Sequence, residues 1–472
     1  MNDMNQLKRI VHLDLKGAPL KISYLEKVLL DAKSWGATGF LLEWEDTFPY
    51  KGDLEVLGSQ NNCGGDGMYT IQEVLHIFDF GRKYGLEAIQ LVQTIGHLEF
   101  VLKHSAFRGL REIPVSPAVL CPSKEASREL VMKMVDQALD AQPDAQYFHI
   151  GADEVWHRVQ CRECQWKYLS NEYREDGLFL EYIANLTAFI KKKRPHLTVL
   201  MWDDMLRSIN ENAIKAYDLS NIQPVYWNYN QIENFHTEFA LWQKYSKLFP
   251  NLWAGSAFKG ANGSCQLVAP VSRYVSNHDA WLREYTVYKE CINFVGIILT
   301  GWSRYDHYAT LCELMPVMLP SLASCLRVIT QSNTVSRDAL VSDVLPSHEW
   351  PGEVIARCIN TFVVLRERCY NLLRDDQVTT WLNPWQAEHS YTVCLHVQNI
   401  ASNAKQLLDE LDTVSSILTV GFSTITGPRS TDEWMGTNMS PLHAKVTELY
   451  NMADGAMTRD AGVTPDKGRK EP

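Results

Sequence analysis

The sequence predicts an α/β fold, a (β/α)8 TIM barrel over residues 1–330 followed by a helical C-terminal region over residues 331–456. Three observations predict it. Strand patterns recur eight times along the first roughly 320 residues, nearly all trailed by a helical pattern, which is the spacing of repeated βα units. Most of these strands are continuous apolar runs, the mark of parallel strands covered on both faces. Polar and aromatic residues gather at the strand C-terminal ends, the face where a closed barrel carries its site. No glycine-rich dinucleotide fingerprint follows the first strand, which disfavours an open sheet.

Taken in order, Val11-His12-Leu13-Asp14-Leu15 reads as the first strand, broken by Lys16-Gly17-Ala18-Pro19. A stripe of Leu25, Val28, Leu29, Ala32 and Trp35 makes Tyr24 to Trp35 a helix that stops at Gly36. Gly39 to Glu45 is a buried strand ending in acidic residues, and a long loop from Asp46 to Gly67 follows. Thr70 is placed to cap a helix from Ile71 to Tyr84 that Gly85 ends. Glu87 to Gln93 is the third strand, running into Thr94-Ile95-Gly96-His97. Helix Glu125 to Ala141, strand Tyr147 to Gly151, helix Leu178 to Lys193 and strand Leu197 to Trp202 come next. Then come strand Pro224 to Tyr229, helix Phe235 to Lys247, strand Leu252 to Phe258, a helix over about 276–294, strand Gly296 to Trp302 and a helix over about 308–327.

From about Val335 the alternation stops, and Val354 to Leu373 and Tyr391 to Val420 are amphipathic helices that either pack on the barrel or serve a homodimer contact. Residues 457–472 are polar and read as a disordered tail.

Composition excludes several classes. Hydrophobic residues are 46% and charged residues 21%, an ordinary globular balance. A net charge of -11 disfavours wrapping nucleic acid or an anionic membrane. No run approaches the roughly 18 apolar residues of a membrane span, and Met1 to Arg9 has no apolar core of signal-peptide length. The 11 cysteines are odd in number and scattered, as reduced cytosolic thiols are. Cys161-Arg-Glu-Cys164, with His157 nearby, is half of a metal site by spacing, but no second ligand pair matches it, so no metal and no cofactor are expected. The 14 Trp, 20 Tyr and 16 Phe, many at strand ends, suit a site that stacks on flat ligands such as sugar rings.

The chemistry centres on His149-Ile150-Gly151-Ala152-Asp153-Glu154-Val155-Trp156 at the tip of the fourth strand pattern. Neighbouring strand residues face opposite ways, so both carboxylates reach one ligand only if the backbone turns, which Gly151 makes easier. A barrel with paired carboxylates at this face points to glycoside hydrolysis, where a protonated carboxyl assists the leaving oxygen and an ionised one offsets positive charge on the sugar. Adjacent side chains are too close to flank a bond as acid and nucleophile. They suit the variant in which the substrate's own 2-acetamido oxygen attacks, with Asp153 holding the acetamido N–H and Glu154 acting as acid and then base. Asp153 should then be ionised and Glu154 should have a raised pKa.

This motif resembles the H-x-G-x-D-E signature of family 20 β-N-acetylhexosaminidases. Further matching stretches are His12 to Gly17, Glu45 to Tyr50, Gln93 to Lys103, Trp202 to Met205 and Leu299 to Tyr308. The resemblance spans the barrel and is strongest toward a cytosolic and nuclear branch of the family. It implies a retaining exo-enzyme that takes a small glycoside or glycoconjugate carrying terminal β-linked N-acetylgalactosamine or N-acetylglucosamine. It implies Asp153 and Glu154 as catalytic residues, and Trp202, Trp227 and Trp302 as walls of the sugar pocket. Tyr229 shares the strand face of Trp227 and is the expected contact for the acetamido oxygen, while His97 is the expected support of the catalytic strand. Two positions depart from lysosomal relatives: Lys16-Gly17 stands where they carry an Arg, and Trp302-Ser303-Arg304 where they carry Trp-x-Glu. The competing readings are a catalytically inactive carbohydrate-binding barrel and a metal-dependent hydrolase built on Asp14, His97, Asp153 and Glu154.

Overall fold

The computed structural model describes residues 6–58, 68–331, 349–389 and 391–460. They fall into two compact units, Met1–Pro351 with Ile425–Arg429, and Gly352–Thr424 with Ser430–Pro472.

The first unit is a closed parallel barrel. Its strands are β1 (Lys8–Asp14), β2 (Gly39–Glu43), β3 (Glu87–Leu91), β6 (Tyr147–His149), β7 (Thr198–Trp202), β8 (Ile222–Trp227), β9 (Leu252–Lys259) and β10 (Phe294–Gly301). An antiparallel hairpin of β4 (Arg111–Ile113) and β5 (Ser116–Leu120) lies between β3 and β6 in sequence. Around the barrel each strand pairs with its neighbours in chain order, and β1 closes the ring by pairing with both β2 and β10. Helices cover the outside, so the strands have no wet face, and β2 and β9 are buried at every position. The barrel interior holds Ile10, Leu41, Ile89, Leu200, Val225, Trp253 and Ile298, and Trp202 closes it toward the strand C-terminal ends. This is the expected fold class.

Local signals worked where they were strong. Thr70 and Glu73 form a reciprocal capping box, and Gly85 ends the helix Ile71–Tyr84 in the left-handed region at φ 64°. Other elements differ from expectation. The hairpin β4–β5 and the helix Arg162–Ser170 were not anticipated, because Pro114 and Pro117 break up the first and the second has little apolar periodicity. The helix expected from about residue 308 begins at Met315. The Asp306 carboxylate accepts the backbone N–H groups of Tyr308 and Ala309, which holds that stretch as a turn.

The second unit is helical. Its long helices are Glu353–Leu373, Cys394–Ile425 and Ser440–Asp460, the second with its last residue in the first unit. One core joins Val378, Leu382, Val397, Ile400, Leu449 and Ala453, and another packs Trp434 against Phe362 and Phe422. The last helix continues through Asp460, past the expected start of a tail at Met457, while the remainder of that tail lies outside the described residues. No helix among the described residues is long and apolar enough to cross a membrane.

Candidate active site

β6 ends at His149, and the chain then turns sharply. Gly151, Ala152 and Glu154 take φ values of 63°, 67° and 49°. For Ala152 and Glu154 that conformation is strained, so the surroundings must hold it. They do so from three sides. The Gly151 N–H donates to His149 Nδ1 at 3.0 Å, so that nitrogen is the unprotonated one, in keeping with burial holding His149 down to about 3. A Cβ on Gly96 would collide with the Asp153 carbonyl, so that approach needs glycine, and one on Gly151, already at positive φ, would displace the Gln93 amide. The Glu154 N–H donates to Asp204 Oδ2 at 2.9 Å. The turn places Asp153 deep, at 7% exposure, and leaves Glu154 part-exposed at the rim of a cavity of about 270 Å³.

One imidazole serves both acids. His97 Nε2 lies 3.5 Å from Asp153 Oδ2 and 3.3 Å from Glu154 Oε2. Burial works against its charge, but Asp153 and the bond to Glu154 outweigh burial and raise His97 to about 10. The carboxylates respond in opposite ways. Burial pushes Asp153 up, while the bond from His97 holds Glu154 down. This reverses the order expected from the sequence, because the shared histidine was not foreseen as a cation facing the outer carboxylate.

Behind Asp153 lies a second charged layer. Gln93 Nε2 bridges Asp153 Oδ1 and Glu43 Oε1, both at 3.2 Å. Glu43 Oε2 meets His12 Nε2 at 3.0 Å. Lys16 Nζ sits 3.4 Å from Asp14, 3.9 Å from Glu43 and 3.9 Å from Glu45. Burial opposes ionisation of both Lys16 and Glu43, but their mutual attraction, with Asp14 and His12 added, keeps Lys16 raised and Glu43 lowered to about 2. Glu45 is pushed well up, chiefly by burial.

Aromatic rings make the walls. Trp202 and Trp302 lie 5.9 Å apart, and Trp227 stacks on Tyr229 at 5.1 Å. The Trp227 indole donates to Asp204 Oδ1 at 3.3 Å, and Lys16 lies 5.1 Å from the centre of the Trp302 ring. The cavity is lined by all seven residues singled out from the sequence: His97, Asp153, Glu154, Trp202, Trp227, Tyr229 and Trp302. Lys16, Glu43, Gln93, Arg304 and Tyr305 also line it and were not among them. The signal for Lys16 and Glu43 was their place at strand ends, and for Asp204 the doublet after Trp202. Other strand-end residues are structural. Trp44 is fully buried against Phe48, Tyr69 and Phe78, and the Asn228 carbonyl accepts from Asn277 and Trp281.

The two departures have their own geometry. Arg304 donates to the carbonyl oxygens of Lys16, Gly17 and Ala309, which ties the end of β1 to the chain after β10. Asp14 accepts the N–H groups of Lys16 and Ser303 at 3.1 and 2.8 Å. Asp14, His97, Asp153 and Glu154 do not form a group of metal-ligating geometry. Among the described residues such groups are Glu112 with Cys121, Cys161 and Cys164, and Glu45 with Asp46 and His307.

Comparison with known proteins gives consistent results. The family model described as glycosyl hydrolase family 20, catalytic domain, matches residues 37–243. Hexosaminidase D of Homo sapiens is 38% identical over 460 residues, covering 93% of both chains. Hexosaminidase D of Bos taurus is 42% identical over 325 residues, covering 68% of this chain and 91% of that protein. Among solved structures, the fold is shared with a catalytic module of a pneumococcal exo-β-D-N-acetylglucosaminidase, at TM-score 0.53 and 14% identity over 77% of this chain and 92% of that one. It is shared likewise with the β-N-acetylhexosaminidase of Bacteroides fragilis, at TM-score 0.51 and 15% identity over 77% and 71%.

Proposed function

The chain belongs to glycosyl hydrolase family 20 as a β-hexosaminidase, and we propose that it cleaves a terminal β-linked N-acetylhexosamine with retention, using the substrate's acetamido oxygen as nucleophile. The observation that carries this reading is the pairing of adjacent carboxylates at different depths of one cavity. Asp153, inside, receives the acetamido N–H and offsets the oxazolinium charge. Glu154, at the rim, protonates the leaving oxygen and then deprotonates the incoming water. A conventional retaining pair needs a second available carboxylate about 5 Å across the bond. Glu43 reaches the cavity, but Gln93 and His12 occupy its oxygens and Lys16 offsets its charge.

Several features fit one sugar ring. The cavity is at the small end of the ligand-pocket range. Trp202, Trp227 and Trp302 supply flat apolar walls, and burial keeps the Tyr229 hydroxyl neutral and able to donate to the acetamido oxygen. A second cleft of about 310 Å³ shares His97, Glu154 and Tyr305 and adds Trp156, a place for the rest of the glycoside beyond the scissile bond. As a sugar enters and water leaves, Glu154 loses solvation, which moves its pKa upward toward that of an acid.

The preferred sugar is N-acetylgalactosamine, with N-acetylglucosamine also accepted. Its support is the likeness to hexosaminidase D. The described cysteines, none of them in a disulfide, support a reducing compartment, cytoplasmic or nuclear. A panel of aryl glycosides, galacto against gluco and acetamido against hydroxyl, tests the reading with a thiazoline mimic of the oxazoline as inhibitor. Turnover should require the acetamido group, favour the galacto series and be blocked by the thiazoline. Equal turnover of the hydroxyl analogues would refute the substrate-assisted route.

A further inference from the structure

The loop that carries Glu154 has a second anchor, outside the cavity. We propose that Glu112, Cys121, Cys161 and Cys164 form a structural binding site for a thiophilic divalent cation, zinc by ligand chemistry. The four residues come from separate parts of the chain. Glu112 is on β4, Cys121 follows β5, and Cys161 and Cys164 open the helix Arg162–Ser170. Their ligand atoms all lie within 4.8 Å of one another.

The spacing is too long for a disulfide and close to that of four ligands on one ion. Cys121 Sγ lies 3.2 Å from Cys161 Sγ and 3.5 Å from Cys164 Sγ. A disulfide needs about 2.05 Å. Sulfurs on one tetrahedral zinc, each with a bond of about 2.3 Å, stand about 3.8 Å apart, which a small outward movement supplies. Glu112 Oε2 lies 3.2 Å from Cys164 Sγ and completes an S3O set. Its other oxygen accepts the N–H groups of Gln160 and Cys161 at 2.5 and 3.0 Å, so the carboxylate is oriented before any ion arrives. Cys161 Sγ accepts the Cys164 N–H at 3.3 Å, the bond that a metal-binding C-x-x-C turn uses to support a thiolate. Cys164 Sγ also lies 3.1 Å from Ser123 Oγ.

Burial sharpens the case. Glu112, Cys121 and Cys164 are 1%, 0% and 0% exposed. A buried carboxylate beside three thiols calls for a compensating cation. The basic side chains nearby are otherwise engaged: Arg158 pairs with Glu175 and Asp176, and Lys124 donates to the Gly109 carbonyl. A divalent ion would bind that carboxylate directly. With each coordinating thiol releasing its proton to solvent, the closed S3O group carries a net charge of about −2, which the N–H groups of Gln160, Cys161 and Cys164 face. It would also fasten the far end of a loop in which His157 and Val159 take φ values of 60° and 61°, while Asp204 holds the near end at Glu154. The site stands independently of the reaction assigned to the cavity.

The full-length chain, loaded with zinc under reducing conditions and dialysed, should retain about one zinc per chain by elemental analysis. Cobalt in its place should give the intense visible bands of a tetrahedral ion and thiolate-to-metal charge transfer in the near ultraviolet. Stripping with a strong chelator should expose three further thiols to a thiol reagent and lower Tm. The Cys161→Ser/Cys164→Ser double variant should lose the metal down to background. Because that variant could misfold, the wild-type cobalt spectrum decides independently. No retained zinc, a Cys121–Cys161 disulfide under the same reductant, or zinc fully retained by the double variant would each overturn the assignment.

Discussion

Two acidic doublets stand one strand apart in this barrel, and they do different work. Asp203-Asp204 follows β7 and Asp153-Glu154 follows β6. Asp203 is fully buried and saturated: Arg207 donates to both its oxygens at 2.9 and 2.7 Å, and the Tyr245 hydroxyl donates at 2.8 Å. Asp204 spends its oxygens on the Glu154 N–H and the Trp227 indole. Asp153 and Glu154 have no arginine. They share one histidine and face a cavity. An acid matched by a guanidinium and a hydroxyl, as Asp203 is, is a structural clasp, whereas a pair left facing a cavity with a single shared imidazole keeps capacity for a ligand.

The largest separation between the doublets should appear in turnover. Glu154→Gln should lower kcat about 10²- to 10⁴-fold with the fold intact by circular dichroism. Near-normal turnover would move the acid to another residue. Asp203→Ala should do the converse, costing about 3 kcal/mol in urea unfolding because it strands Arg207 and Tyr245, with far less loss of kcat per folded molecule than Glu154→Gln causes. Asp204→Asn falls between them. It weakens the hold on the strained Glu154 peptide, so kcat should drop by roughly tenfold to a hundredfold while Tm changes little; an unchanged kcat would show that Glu154 is held by other contacts.

The smallest effect is in pH. His97→Gln removes a positive neighbour from both carboxyls, so both pKa values rise. Glu154 then stays protonated to higher pH, and Asp153 ionises only at higher pH. Both limbs of the kcat/KM profile should therefore move in the alkaline direction, by roughly one pH unit or more. Limbs that stay in place would mean that His97 acts by packing alone.

The comparison also shows what could be read from sequence. The barrel was legible because continuous apolar runs and capped helices repeat in fixed alternation. The seven cavity residues were legible because the barrel rule puts strand tips on one face and the resemblance to family 20 picked them from the other strand-end residues, with side-chain parity adding Tyr229. The resemblance to the H-x-G-x-D-E motif singled out Asp153-Glu154, but the work of the other doublet was not legible: it reads as two acids after an apolar strand, and Arg207, four residues on and folded back over Asp203, makes it a clasp. The role of Asp204 runs through a backbone N–H at a left-handed residue, which leaves no periodicity to detect. Gln93 was counted as the end of a strand, yet its amide joins Asp153 to Glu43. The Cys161-x-x-Cys164 pair was visible, but Glu112 and Cys121 lie 40 to 52 residues upstream, on and just after a hairpin interrupted by prolines.

The seam between β1 and β10 has a consequence for when the enzyme comes into being. Asp14, Lys16 and Gly17 meet Ser303 and Arg304 across 287 to 289 residues of chain, at the cavity itself. Contacts so distant in sequence form late, since the entropy of closing the ring is lost before they reward it. A nascent chain still short of residue 302 has Lys16 but lacks Trp302 beside it and Arg304 to hold its backbone. The first strand thus waits for the last, and sugar-binding competence arrives with ring closure, not as a property of any earlier half of the barrel.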